Sequence, residues 1–453
     1  MSKIIKIKKG LNIPILGEAE KILNTTPRSA TYSVCPPDFH GLTPKMLVKE
    51  GEKVKAGSPL FFDKYNEKII FTSPVSGIFS DLVRGEKRRI MKLVIQADDK
   101  NDYLDFGVAD PNALNREQVI NKLLQSGLWP SIRQRPYSVI ANPDDKPKAI
   151  FISAFDSAPL GADMDFIVNG QENEFQTGLN VLQKLTDGKV HLSVHVDNNL
   201  SSAFLNAKGV ELHRFSGPHP SGNVGIQIHH IDPVDKGDIV WYLGVQHLIS
   251  IGRLFEKGIY DASKIIALAG SEVLNPRYYR VISGARISEI IDTNLRVEEG
   301  VNRRIISGDV LTGTHIGEND YLRFYDDLVS VIPEGDKPEI LSWIMPNFDK
   351  FSISRSFPAF AMPWKKFRLN TNIRSGERPF VVTGVYEKVL PMDIMPMQLL
   401  KSIMINDIDM MEKLGIYEVA PEDFALCEYV CPSKIDIQYY IREGLDTVRS
   451  EFS

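Results

Sequence analysis

Hydrophobic patterning changes character twice along this chain, and no single core can serve all three patterns. From 41 to 97, short β-branched runs at 48–60 and 69–78 are punctuated by Gly51, Gly57 and Gly77, as tight hairpins require. From 148 the chain alternates strand and helix: a buried strand at 148–154, an amphipathic helix at 175–185 closed by Asp187 and Gly188, and a strand at 190–196. The unit repeats at 200–207 and 210–215, which predicts a Rossmann-like parallel sheet. Toward the C-terminus the period becomes helical, with apolar residues at 394, 395, 399, 400, 403 and 404 forming one stripe. With 453 residues the chain exceeds what one core accommodates, so it divides into several domains.

The intervening stretches fill in the plan. Asn115 opens a capped helix that ends before Gly127. Residues 265–279 read as strand, turn and strand, 284–291 as a helix and 304–313 as a strand, with further strands through Trp343, Ser352 and 380–386. Asn406 or Asp407 caps a helix that Gly415 ends, Pro421 opens a helical run to 430, and 437–448 closes the chain helically. The expected fold class is a mixture of α/β and α+β domains: a β domain over 1–104, a Rossmann-like domain over 105–257, a mixed domain over 258–335, and strands and helices over 336–453. The first ten residues alternate lysine with isoleucine and make no signal-peptide core. The most apolar stretch, 239–255, is interrupted by Gln246, His247 and Arg253 and falls short of the roughly 20 apolar residues that span a bilayer. A net charge of −5 gives no basic footprint for nucleic acid, and three cysteines point to a reducing compartment rather than a disulfide framework.

The chemistry is carried by what the motifs lack. Cys427 and Cys431, followed by Pro432, have the spacing of the closing half of a ferredoxin cluster motif, but the positions of the other two ligands hold Phe424 and Pro421. A four-iron cluster needs four thiolates and the third cysteine, Cys35, lies far upstream, so a cluster in this chain alone is excluded by count. The turn after the first Rossmann strand holds only Gly161 and Gly170, with acids at Asp156, Asp163 and Asp165; a dinucleotide site needs closely spaced glycines there, and acids repel pyrophosphate. His213, His219, His229 and His230 crowd one region, but adjacent residues of a strand face opposite ways and no cysteine or third carboxylate has zinc spacing, so no metal site is read. Half of the twelve methionines, those from Met392 to Met411, read as adaptable core. The basic run Arg84, Lys87, Arg88, Arg89 and Lys92 reads as a solvated hairpin. Local spacing locates no catalytic residue.

Residues 41–97 resemble the biotinyl/lipoyl carrier fold, with Lys64 and Lys68 flanking its hairpin outside either attachment motif. The 258–335 stretch resembles the soluble-ligand-binding β-grasp (SLBB) module, with one extra residue between its glycine and valine. Over essentially its full length the chain resembles the A-subunit family of Na+-translocating NADH:quinone oxidoreductases, relatives of the NADH-binding flavoprotein subunit of complex I and of the Rnf complex C subunit. The carrying segments include Ile7 to Ile15, Pro44-Lys45-Met46, His219-Pro220-Ser221-Gly222-Asn223, Tyr386 to Ile394 and Leu426 to Pro432. The resemblance implies a translocase subunit not catalytic alone, peripheral on the cytoplasmic side of a bacterial inner membrane, with five partner subunits, B to F. It implies that the complex uses NADH, FAD, FMN, iron-sulfur clusters and quinone, while this chain binds no cofactor of its own. Phe39 and His40 are the residues to meet quinone or a partner, an aromatic ring and a proton donor for the quinone ring and carbonyl. An Rnf-type electron carrier and a non-catalytic scaffold stay open as alternatives.

Overall fold

The computed structural model describes residues 4–196, 200–336, 347–355, 357–373, 376 and 378–452. The chain begins by serving sheets it does not otherwise belong to: β1 (Ile4–Lys6) joins the α/β sheet and β2 (Glu20–Thr25) joins the third sheet. A β-sandwich follows from β3 (Thr31–Val34), β4 (Pro44–Met46), β5 (Lys53–Val54), β6 (Pro59–Asp63), β7 (Asn66–Thr72), β8 (Gly77–Arg84) and β9 (Ile90–Ala97). Its sheets run β3-β9-β8-β5 and β4-β6-β7. The β6–β7 turn carries Lys64; Lys68 is tied down by Asp144 at 2.7 Å. Helix α1 (Arg116–Ser126) has the predicted start, a capping box in which Asn115 accepts from the Gln118 amide at 2.9 Å, and ends on left-handed Gly127.

The α/β unit contains β10 (Arg133–Arg135), β11 (Val139–Ile140), β12 (Ala149–Ser153), α2 (Met164–Val168), α3 (Glu172–Leu182), β13 (Lys189–His195), α4 (Ser202–Leu205), β14 (Glu211–Ser216), α5 (Val224–Ile231), β15 (Val240–Gly244) and α6 (Val245–Lys257). Its strand order is β1-β14-β13-β12-β15-β10-β11. The five strands from β1 to β15 are parallel, and β14-β13-β12-β15 is the 3-2-1-4 order of a Rossmann half. His229 and His230 lie on α5, not on a strand as the sequence reading assumed: Gly225, Ile226, Gln227 and Ile228, four consecutive buried residues, enclose the helix over a whole turn, with Gly225 allowing close packing.

The third sheet, β19-β18-β20-β16-β17-β2, is built from β16 (Ser263–Ala269), β17 (Arg277–Ile282), α7 (Ser288–Ile291), β18 (Arg303–Ser307), β19 (Thr314–Ile316) and β20 (Leu328–Pro333). The strand expected over 304–313 stops at Ser307, where Gly308 takes a φ of 99°. Beyond β20 the expected strands are not formed among the described residues, and Trp343 lies outside them. Ser352 and 380–386 are irregular or turn, with short 3-10 turns at Pro358–Ala361 and Tyr386–Lys388. Pro358, Pro363 and Pro379 remove ladder donors, and Phe348, Phe360, Trp364 and Val382 are exposed rather than packed on a sheet. The chain ends in α8 (Pro396–Met404), α9 (Ile408–Lys413), capped by Asp407, α10 (Ala425–Val430) and α11 (Ile437–Phe452). No helix of the described residues is long and apolar enough to cross a membrane.

Candidate functional site

Four regions of the chain meet at one polar cleft of about 170 Å³. Asp38 and His40 come from the sandwich, Arg133 and Ser138 from the β10–β11 hairpin, Tyr325 from the loop before β20, and Glu422 and Arg442 from the helical end. Arg133 is packed between the Tyr242 ring at 4.7 Å and the Tyr325 ring at 4.4 Å, and its Nε has no hydrogen-bond partner among the described residues. A guanidinium held between two π faces keeps its charge in a site where burial would otherwise suppress it, with Tyr242 and Glu422 reinforcing the cation. Tyr325 donates to the Pro130 carbonyl at 2.6 Å. Asp38 accepts from Arg323 at 2.7 Å and from the Phe324 amide at 2.9 Å, yet burial outweighs both and pushes its carboxyl up to about 6.

Phe39 and His40 are neighbours in sequence but do not converge. The Phe39 ring turns into the core, 4.6 Å from Phe71 and 5.0 Å from Phe324, and lines a separate cavity of only about 30 Å³. His40 turns outward to the cleft and pairs through Nε2 with Asp446 of α11 at 2.8 Å, while Arg442 takes the same carboxylate at 3.1 Å. An imidazole whose N–H donates to a carboxylate is held in one orientation; its other nitrogen accepts a proton in the neutral ring and donates one in the imidazolium, the arrangement that proton transfer to a ligand oxygen uses.

Beneath the cleft sits a network that sequence reasoning missed. Arg135 is fully buried; it donates to Asp423 at 2.6 Å, to Glu422 at 2.9 Å and to the Glu418 carbonyl at 3.1 Å. Burial alone would lower the Arg135 pKa, but Asp423 and Glu422 outweigh it and hold the guanidinium charged. Gly225 of α5 fits here because an added Cβ would stand 2.5 Å from the Asp423 carboxylate. The cluster pins β10 and α5 to the helical end. Its only sequence signal, two acids at 422 and 423 after Pro421, is indistinguishable from an ordinary helix start.

The Rossmann crevice and the surroundings of the cysteine pair are both filled by the chain's own residues. In a Rossmann half, a dinucleotide lies beyond the carboxyl ends of the strands, where the strand order reverses. Here that crevice, next to Ser153 at the end of β12, is filled by the loop after β14. Ser153 Oγ donates to the Gly222 carbonyl at 2.9 Å, the Gly222 amide donates to Ser157 Oγ at 2.8 Å, and the buried His219 ring meets Ser157 Oγ at 3.1 Å. Asp156 stands in the same turn, its carboxyl pushed up to about 7 by burial and by Asp309. At the other position, Cys427 and Cys431 are both completely buried, and the Tyr386 hydroxyl lies 3.0 Å from the Cys431 sulfur. Burial pushes the Cys427 thiol up, so it stays protonated. Of the methionines from Met392 to Met411, Met392, Met397 and Met411 are buried core and Met395, Met404 and Met410 are exposed.

A third grouping was also missed. His191, Glu211 and His213 come together on one face of the α/β sheet, with one potential ligand atom from each within 4.8 Å of the others. His191 had no local partner in the sequence; the grouping depends on the β13–β14 register.

Three family models match in order: the NqrA N-terminal barrel-sandwich hybrid domain over 5–98, the NqrA second alpha/beta domain over 114–260, and the NQRA C-terminal domain, an SLBB model, over 265–317. The chain is 40% identical to the A subunit of the Na(+)-translocating NADH-quinone reductase of Neisseria meningitidis serogroup C, over 99% of this chain and 100% of that one. It is 42% identical to the protein of the same name from Photorhabdus laumondii, again over 99% and 100%. Among solved structures, a NAD+-reducing NiFe-hydrogenase in the air-oxidised state overlaps loosely, with a TM-score of 0.37 at 12% identity over 76% of this chain and 64% of that one.

Proposed function

The chain belongs to the A-subunit family of the Na+-translocating NADH-quinone reductases, and from that premise we propose that it serves as the peripheral subunit shaping the quinone end of such a complex. The observation that carries this reading is the end-to-end match, 40% identity over 99% of this chain and 100% of the relative. In this reading the complex passes electrons from NADH to quinone and exports Na+; the flavins and iron-sulfur clusters reside on the five partner subunits, B to F. The chain holds no redox centre, sits on the cytoplasmic side of the bacterial inner membrane, and is attached there through its partners. The loop seated in the Rossmann crevice and the cysteine pair packed into apolar core both support a scaffold that works without its own flavin or cluster.

Reduction of a quinone to a quinol takes two electrons and two protons, and the cleft offers the chemistry for the oxygens. Arg133, held between two tyrosines, is a fixed cation for developing negative charge on a quinone oxygen. His40, oriented by Asp446, donates a proton from its other nitrogen when the ring is the imidazolium, and Phe39 forms the wall behind Tyr325 at 5.7 Å without reaching the cleft itself. Removing one hydrogen-bonding group to a charged or polarised partner costs about 1.5–3 kcal/mol. In the intact complex, His40→Ala is therefore expected to lower kcat/KM for quinone by roughly ten-fold or more. NADH oxidation by an artificial acceptor that bypasses quinone should be unchanged. Unaltered quinone kinetics in this variant would remove the cleft from the reaction while leaving the family assignment standing.

A further inference from the structure

We propose that His191, Glu211 and His213 form a binding site for a borderline divalent metal ion of the zinc class, on the face of the α/β sheet that α5 covers. Glu211 and His213 stand two apart on β14 and share a face, and the ladder places His191 of β13 directly opposite Glu211. Nδ1 of His191 lies 2.9 Å from Nε2 of His213 and 3.7 Å from Oε2 of Glu211. Bonds of 2.0–2.1 Å in a tetrahedron put ligand atoms about 3.3 Å apart, so the three groups straddle the required spacing and need only small side-chain rotations.

The surroundings are those of a built site. His191 is 4% exposed and its ring is stacked on Phe151, with centroids 4.7 Å apart and planes 23° apart, which fixes the imidazole plane. Lys189 takes Oε1 of Glu211 at 2.5 Å and leaves Oε2 toward the histidines. Asp232, the other carboxylate whose charge reaches His191, is engaged by Lys148 at 3.0 Å. Glu211 and His213 are partly exposed, so one side is open for a water as the fourth ligand. Two imidazoles and one carboxylate select zinc, cobalt or nickel over magnesium and calcium, which take oxygen sets. The competing account is a plain hydrogen bond between two neutral imidazoles, which needs no metal.

The test uses the full-length chain, stripped of metal and titrated with Zn2+ against a chromophoric chelator, and with Co2+ read by its visible absorption. One equivalent is expected to bind, with His213→Gln weakening Zn2+ by at least about a hundredfold, the upper end of what loss of a mere outer-shell partner costs. Lys189 competes electrostatically for Glu211, so Lys189→Ala, a change at an exposed side chain, is expected to tighten binding. Equal melting temperatures of the metal-free variants guard against misfolding as the cause. Absence of stoichiometric binding to the wild-type chain, or equal Zn2+ affinity in wild type and His213→Gln, overturns the site.

Discussion

Replacing Arg135 with alanine is expected to destabilise the chain by about 3–5 kcal/mol, because it removes one partner of a fully buried ion cluster and strands the other. Asp423 has no exposed side-chain surface, and among the described residues its carboxylate accepts from only the Ala420 amide, at 3.0 Å, besides Arg135. Without the guanidinium, Glu422 and the Glu418 carbonyl lose their donor as well. Urea unfolding checks the magnitude. The double replacement of Arg135→Met with Asp423→Leu is expected to recover most of the loss, since exchanging a whole buried pair for apolar groups of similar volume is often neutral. A loss below about 1 kcal/mol for Arg135→Ala would mean that the pair is solvated like a surface bridge. The effect reaches the cleft as well: Arg133 and Arg135 stand two apart on β10, both over the Tyr242 ring, so loosening one disturbs the seat of the other.

Gly252→Val is the second substitution expected to be severe. Helices α3 and α6 approach through a glycine on each: an added Cβ at Gly252 would stand 1.8 Å from the Glu174 carbonyl oxygen, and one at Gly178 would stand 2.4 Å from that of Leu248. These obstacles are helix backbone, which cannot rotate out of the way as a side chain can. The helices must separate, and α6 is buried along most of its length between the α/β and third sheets. Overpacking of this kind is expected to cost about 3 kcal/mol or more, roughly 6–12 °C in Tm for a unit of this size. Gly376→Ala, where an added Cβ meets nothing within 4 Å, is the control and should scarcely move Tm.

What could be read from the residues was local. The Asn115 capping box, the alternating strands and helices after 148, and the Asp407 cap with its Gly415 stop are all written within a few positions of one another. Counting thiolates excluded a four-iron cluster in this chain alone. The functional geometry, by contrast, spans distances in sequence over which no periodicity carries information. His40 meets Asp446 across 406 positions, and Arg135 meets Asp423 across 288. The loop from His219 to Gly222 was noticed for its family resemblance, but that it fills the Rossmann crevice depends on how β14 returns past β12. β20, at the centre of the third sheet, escaped notice because its neighbours are β18 and β16 rather than an adjacent hairpin. Among the described residues, the strands expected through Ser352 and 380–386 are not formed, because Pro358, Pro363 and Pro379 remove ladder donors from that stretch.

On the proposed function, a Na+-dependent NADH-quinone reductase needs this chain although the chain carries no electrons itself. The most direct measurement is the Na+-stimulated rate of NADH-driven quinone reduction in membranes with the chain deleted, then restored. The rate is expected to be lost on deletion and regained with the wild-type chain, itself without visible absorbance when purified. An undiminished Na+-stimulated rate in the deletion membranes would contradict the account.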